Sequence, residues 1–293
     1  MLTRQYVKLC ELNDFEDPPL REMLREIVPG LPVDQELHRK YWEYALLGLY
    51  LEETGALSPD AVALAVAAGR EQPLYWLANR IGRIVATDIY GDGDFADLSA
   101  PASMVDNPSA YAPFPYREDR LEVRHMDALA LDYPDESFDF VFCLSSIEHF
   151  GGPKATVRAA AEMARVLRPG GRVVITTECF VGRHPFNSPK LQFAIRVASL
   201  GRRCSAATPT KRVIDAFTPR EINRLIVRPM AQRGIQLAQP LDTKLSSESR
   251  ENLIRWVGAG ELHPASGSLY PHILLQAHGS PWTSAFLAFD KRS

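Results

Sequence analysis

The chain has 293 residues, 46% of them hydrophobic and 24% charged, with a net charge of −3. This is globular composition, and the length permits one large domain with additions or two small ones. The balance excludes a global basic field for nucleic acid, and no apolar run reaches the ~18 residues of a membrane span. The four cysteines (Cys10, Cys143, Cys179, Cys204) form no C-x-x-C pair, so reduced thiols and a cytoplasmic location are expected. The N-terminus shows no apolar signal core.

Residues 1–57 read as a helical cap. In "QELHRKYWEYALLGLYLEETGAL", Leu37, Tyr41, Tyr44, Leu47 and Leu51 recur at spacings of three and four, one helical face. No strand pattern precedes residue 61. "AVALAV" (61–66) is then a short apolar run typical of a strand buried on both faces. After Gly69, "REQPLYWLANRIG" places Leu74, Leu77, Ala78 and Ile81 on one face, with Gly82 as its C-cap, and "RIVATD" (83–88) is a second strand. Strand, glycine turn, helix, strand is a βαβ unit, which closes right-handed onto a parallel sheet.

Residues 89–120 are rich in loop formers, and so long a connection is more often functional than idle. "LEVRHMD" (121–127), "FDFVFCLSS" (138–146) and "RVVITTE" (172–178) follow as strands. "KATVRAAAEMARVL" (154–167) is a helix and "RPGG" a turn. Further on, "TPRE" (218–221) is a capping box, "IQLAQPL" a strand, "SRENLIRWVGAG" a helix, and the last segment two strands around "GSP". The alternation argues for a doubly wound α/β sheet.

Ligands of such sheets bind outside the carboxyl ends of the strands. Those ends carry Gly69, Arg70 and Glu71; then Asp88; then Asp127; then Ser145, Ser146, Glu148 and His149; then Glu178 and His184. Asp88 follows Gly69 by 19 residues, the placement of a carboxylate that takes ribose hydroxyls. A helix-capping role is the alternative. Asp127 could accept from an adenine amino group, with Met126 or Ala128 against the ring; a helix cap is again the alternative.

The order "AVAAGRE…VATD…MDALALDYPDESFDFVFCLSSIEHF…EMARVLRPGGRVVIT" resembles the class I S-adenosylmethionine-dependent methyltransferases. The resemblance is close over roughly 55–180 and looser beyond. It implies a Rossmann-like sheet, mostly parallel with a C-terminal antiparallel strand, carrying the helical cap of 1–57. The domain would span 58–293, with substrate-facing insertions about 89–120, 180–217 and 242–272. It also implies an S-adenosyl-L-methionine site at Ala67, Ala68, Gly69, Glu71, Asp88, Ile89, Met126, Asp127, Ala128 and Ser145. The family's acid-x-Gly-x-Gly-x-Gly loop is worn here: Ala65, Ala67 and Glu71 replace the acid and two of the glycines. Alanine is tolerated there if its φ is negative. Glu71 would sit at a helix N-terminus and could meet the cofactor's amino group.

Methyl transfer to a hydroxyl requires alignment and removal of a proton. His149 is the candidate base, with Glu148 or Glu178 orienting it or touching the acceptor. Tyr41, Trp42, His184 and His272 are candidates for binding substrate. Divalent-ion binding through His149, Glu178, His184 and Asp215 has no tight ligand spacing behind it. The "GRE" loop is similar to that of a sugar and polysaccharide O-methyltransferase subgroup, so a small-molecule or oligosaccharide acceptor is expected. Neither nucleic acid nor membrane is expected as a partner, and the protein would be a monomer or homodimer. The alternatives are a small-molecule N-, C- or phenol O-methyltransferase, a Rossmann-like binding subunit without catalysis, and a nicotinamide dehydrogenase.

Overall fold

The computed structural model describes residues 2–34, 36–182, 215–257, 261–264, 271–277 and 279–292, with 194, 197 and 198. Its strands are β1 (Lys8–Leu9), β2 (Val62–Val66), β3 (Arg83–Asp88), β4 (Leu121–His125), β5 (Phe138–Leu144), β6 (Leu167–Phe180), β7 (Ile235–Leu237), β8 (Ile254–Val257), β9 (Glu261–Pro264), β10 (Leu275–Ala277) and β11 (Ser280–Lys291). They form one sheet in the order β4-β3-β2-β5-β6-β11-β10-β8-β9, with β1 and β7 also paired to β11. The first five are mutually parallel. β11 runs antiparallel to β6, Ser284 standing opposite Glu178. Strand order reverses between β2 and β5, so the carboxyl ends of those two strands border the crevice where ligands bind.

The helices are α1 (Pro18–Ile27), α2 (Arg39–Glu53), α3 (Gln72–Ala78), α4 (Ser103–Asp106), α5 (Pro153–Val166), α6 (Pro219–Ile222), α7 (Arg228–Ala231) and α8 (Ser247–Glu251), a π-helical turn (Asn223–Val227) joining α6 to α7. Both hydrogen bonds of the capping box at Thr218 and Glu221 form, as "TPRE" foretold. Residues of the N-terminal cap share one buried cluster with the sheet: Tyr6, Leu24, Trp42 and Leu47 lie with Phe142, Ile175 and Phe286. Aromatic edges join them, Tyr6 to Tyr50 at 5.2 Å and Trp42 to Phe286 at 6.2 Å.

The structure departs from the sequence-based expectations in several places. A strand does precede residue 61: β1 pairs with β11 through Lys8–Phe286 and Leu9–Ala285, too short to leave a period-2 pattern. "SRENLIRWVGAG" is not one helix. α8 ends at Glu251, and Ile254–Val257 is a strand because Ile254 and Arg255 find partners in β10. Gly82 is not a C-cap. α3 stops at Ala78, and a Cβ at Gly82 would lie 2.8 Å from the Pro59 carbonyl, so glycine is there for close approach of backbone. "RPGG" leaves the β5–β6 ladder as an excursion inside β6, where Arg168 grips Asp139 with two bonds of 2.8 and 2.9 Å. The 89–120 connection holds α4 and two 3-10 turns, Pro108–Tyr111 and Glu118–Arg120.

Candidate active site

A cavity of about 700 Å³ opens at the carboxyl ends of β2, β3 and β5. Its walls bring together Ala67, Ala68, Gly69, Glu71, Asp88, Ile89, Ser145, Ser146, His149 and Glu178 from the residues singled out in the sequence. They also include His38, Arg39, Lys40 and Glu43 from the N-terminal cap, together with Phe95 and Asp215.

Two strained turns floor the cavity. Ala67 after β2 has φ +51° and Ser145 after β5 has φ +48°. The condition under which alanine is tolerated, a negative φ, is not met at Ala67: the residue occupies the left-handed region, at a cost of about 1 kcal/mol. Hydrogen bonds hold both turns. Ser146 Oγ donates to the Ala67 carbonyl at 3.2 Å, and the Ser145 N–H reaches the Thr176 carbonyl at 3.0 Å. Gly69 also has positive φ (+48°), and a Cβ there would fall 2.5 Å from the Ser99 carbonyl. Gly69→Ala should thus lose about 1–3 kcal/mol. Ala67→Gly should gain up to about 1 kcal/mol, the relieved strain exceeding glycine's entropy cost. Thermal melts of the two variants, moving in opposite directions, check the pair.

Asp88 accepts from Gly69 N–H and Ile89 N–H, both at 2.8 Å, one through each carboxylate oxygen. Each oxygen keeps a second lone pair for a hydroxyl donor. Burial pushes the Asp88 carboxyl up despite those bonds. Met126 N–H donates to the Asp88 carbonyl at 2.8 Å, which sets the 126–128 segment beside the ribose candidate. Met126, Asp127 and Ala128 are not on the cavity wall; exposed Asp127 closes a local turn with Leu129 N–H at 2.8 Å.

Glu71 stands at the N-terminal boundary of α3 but makes no capping bond. Its carboxylate pairs instead with Lys40 Nζ at 2.5 Å. Burial drives the Glu71 carboxyl up to about 7, against the pull of Lys40. Lys40 Nζ also meets the Leu144 carbonyl at 3.0 Å and Glu43 at 3.4 Å. Burial disfavours its charge, yet Glu71 and Glu43 hold its pKa above the usual lysine value. Glu43 is fully buried. It accepts from Ser145 Oγ at 2.7 Å, Thr176 Oγ1 at 2.9 Å and Ser284 Oγ at 2.5 Å, binding α2 to the turn after β5 and to β6 and β11. Sequence reasoning passed over it, although an acid inside the apolar run "YWEYALL" is a signal.

At the other end, His149 Nδ1 lies 3.5 Å from Asp215 Oδ2, and its ring meets Phe95 at 4.9 Å. Asp215 reaches it because the following segment pairs with β6: Phe217 N–H donates to the Glu178 carbonyl at 2.9 Å. Burial pushes His149 down, but Asp215, Glu148 and Glu178 outweigh it and raise its pKa. Glu178 is held by Arg39 at 2.6 Å, so it enters the cavity as an ion pair. Glu148, expected at the chemistry, faces the sheet: it accepts from Thr177 Oγ1 at 2.9 Å and Glu178 N–H at 3.0 Å. Burial and the nearby Glu178 charge raise it to about 7.

The expected substrate-binding group does not assemble. Trp42 is fully buried, its indole N–H donating to Asp14 at 2.6 Å, because the α2 face that carries it packs into the core. Tyr41 is half-buried and off the cavity wall, edge-on to His38 and Tyr44. His272 is one ring removed from the wall, stacked on His38. His184 lies outside the described residues. Among the described residues no group of three or more His, Cys, Asp or Glu is placed to hold a metal ion. No described helix is long and apolar enough to cross a membrane.

A family model for a methyltransferase domain matches residues 64–175, from β2 into β6. The chain is 30% identical over 152 residues to 27-O-demethylrifamycin SV methyltransferase of Amycolatopsis mediterranei (strain S699), covering 48% of this chain and 50% of that protein. It is 34% identical over 112 residues to the methyltransferase GfsG of Streptomyces halstedii, covering 38% and 36%. The solved YcgJ protein of Bacillus subtilis aligns over 84% of this chain and 98% of its own, with TM-score 0.48 and 14% identity. The chain spans half or less of the length of the two curated relatives. Sheet order and family match together define a class I methyltransferase fold. Residues 64–175 are the part that matches the methyltransferase-domain family.

The lining fits that cofactor. Acids on the wall (Glu43, Glu71, Asp88, Asp92, Asp94, Glu178, Asp215) outnumber the cations Arg39 and Lys40, which suits a ligand carrying sulfonium and ammonium charges against one carboxylate. Asp88 retains acceptor capacity for a diol, and the Lys40–Glu71 pair offers opposite charges to a zwitterionic amino-acid end.

Proposed function

We propose that the protein transfers a methyl group from S-adenosylmethionine to a hydroxyl of a neutral small molecule, a saccharide or glycosylated metabolite in the first instance. The observation that carries this reading is the His149–Asp215 pair on the wall of the same cavity as Gly69 and Asp88. When bound, the cofactor supplies a methyl group on a positively charged sulfur. Asp88 would take the ribose hydroxyls, and Met126, Asp127 and Ala128 the adenine side. Glu71 and Lys40 would meet the amino-acid end. His149 would take the hydroxyl proton through Nε2, while Asp215 holds Nδ1 and steadies the imidazolium that forms. The name of the rifamycin relative, which specifies a 27-O-demethyl substrate, supports oxygen as the methylated atom. The acidic lining disfavours an anionic acceptor.

The test uses cofactor labelled in its methyl group. Transfer to methyl α-D-mannopyranoside or another polyol, and not to a phenol or amine, is the expected outcome. Transfer confined to amine or carbon acceptors would sink it. So would calorimetry showing no binding of S-adenosylhomocysteine at millimolar concentration.

A further inference from the structure

His38 opens α2 in an unusual way: its ring Nδ1 accepts the Lys40 N–H at 3.0 Å, where a serine or aspartate oxygen would ordinarily cap the helix. A ring nitrogen that accepts carries no proton, so the neutral imidazole must bear its hydrogen on Nε2. No hydrogen bond to that Nε2 forms among the described residues, and His38 borders the cavity shared with His149. The ring is fixed in place. The His272 ring stacks on it at 4.2 Å with 4° between planes, and Tyr41 meets it edge-on at 5.8 Å. His272 is itself pinned to the chain around His38, its N–H donating to the Leu37 carbonyl at 2.7 Å and its carbonyl accepting from Arg39 N–H at 3.1 Å.

We propose that His38 is an acceptor-positioning residue: its Nε2–H donates to a second oxygen of the acceptor, one other than the hydroxyl that His149 deprotonates. The inference rests on the O-methylation reading and narrows it to neutral acceptors with at least two oxygens. Arg39 and Lys40 carry charge and are paired, with Glu178 and Glu71, although Arg39 Nε makes no hydrogen bond; the His38 ring is the uncharged donor of the three. The groups facing it are His272, Arg39, Lys40 and Tyr41. Burial first, then the His272, Arg39 and Lys40 charges, hold its pKa down to about 3. It therefore keeps one donor and no charge over the working range of His149. A neutral N–H matches a hydroxyl, ether or carbonyl oxygen.

The experiment combines ¹⁵N-histidine NMR with ligand-observed binding of two probes, methyl α-D-mannopyranoside and cyclohexanol, in the presence of S-adenosylhomocysteine. The expected spectrum shows His38 as the neutral Nε2–H tautomer between about pH 5 and 8. His38→Ser and His38→Asn both retain a helix cap. Serine, whose short hydroxyl cannot place a donor where Nε2–H stands, should weaken mannoside binding about tenfold, the worth of one hydrogen bond. It should leave cyclohexanol and S-adenosylhomocysteine unchanged. An Nδ1–H tautomer, titration near the ordinary imidazole value, no mannoside binding to the wild type, or equal mannoside binding in His38→Ser overturns the proposal. Loss of S-adenosylhomocysteine affinity in both variants also overturns it, since the residue would then be holding the helix. If these results hold but labelled cofactor methylates no hydroxyl, the O-methylation reading falls and the subsite stands.

Discussion

Replacing His149 with alanine lowers methyl transfer to a hydroxyl acceptor by a factor of about 10²–10⁴, the worth of a positioned general base, while affinity for S-adenosylhomocysteine stays as it was. The split follows from the geometry. His149 projects from the turn after β5 toward Phe95 and Asp215, whereas the cofactor candidates cluster at Gly69, Asp88 and Ser145. The base must be neutral to act, and its pKa is raised by Asp215, Glu148 and Glu178 against burial. Activity should therefore rise with pH along a limb lying above the ordinary imidazole value. Asp215→Asn should move that limb to lower pH and reduce the maximal rate. Full activity in His149→Ala, or a limb unmoved in Asp215→Asn, would remove the base from the mechanism.

Glu43→Ala is expected to be the most destabilising single change, at about 3–5 kcal/mol. Truncation takes the acceptor from three hydroxyls, on Ser145, Thr176 and Ser284, and one counter-charge from Lys40 at the cavity wall. The buried Thr176 and Ser284 hydroxyls are then left without that acceptor, and the half-buried Ser145 hydroxyl loses its own. Because Ser145 forms the floor of the cavity, cofactor affinity should fall along with the melting temperature. Glu43→Gln tests the charge separately. Its carbonyl oxygen can keep one or two of the hydroxyl bonds, so it should lose less than alanine does. A denaturant midpoint for Glu43→Ala within error of the parent would show that the cluster contributes nothing.

Much of the carboxyl edge of the sheet could be read directly from the chain, because the signals are local. The run "RIVATD" becomes β3 with the bounds expected, and Asp88 stands at its end, where it accepts from the Gly69 N–H. Hydrophobic period, turn residues and strand-end acids are properties of short segments, and a parallel sheet collects strand ends at one edge. The acceptor side was harder to read. Tyr41 and Trp42 were chosen for their aromatic character, yet the neighbouring polar side chains of the same helix are the ones that enter the cavity. The face a helix turns toward a site depends on its rotation against α1 and β11, which no window of local sequence encodes.

The sequence alone determined the alternation of strands and helices, the carboxyl-edge position of Gly69, Asp88, Ser145 and His149, and the likeness to a methyltransferase. Each follows from periodicity and motif order within about 20 residues. The tertiary structure decided what lies across from them. It paired Lys40 with Glu71, buried Glu43 among hydroxyls from β6, β11 and the turn after β5, carried Asp215 to His149 through pairing beside β6, and set the sign of φ at Ala67. All but the last are contacts between residues far apart in the chain. They form only when packing of the core brings the N-terminal helix and the C-terminal strands onto the same edge of the sheet. The turn at Ala67 persists for a related reason: neighbours from other elements hold it in place and outweigh its local strain.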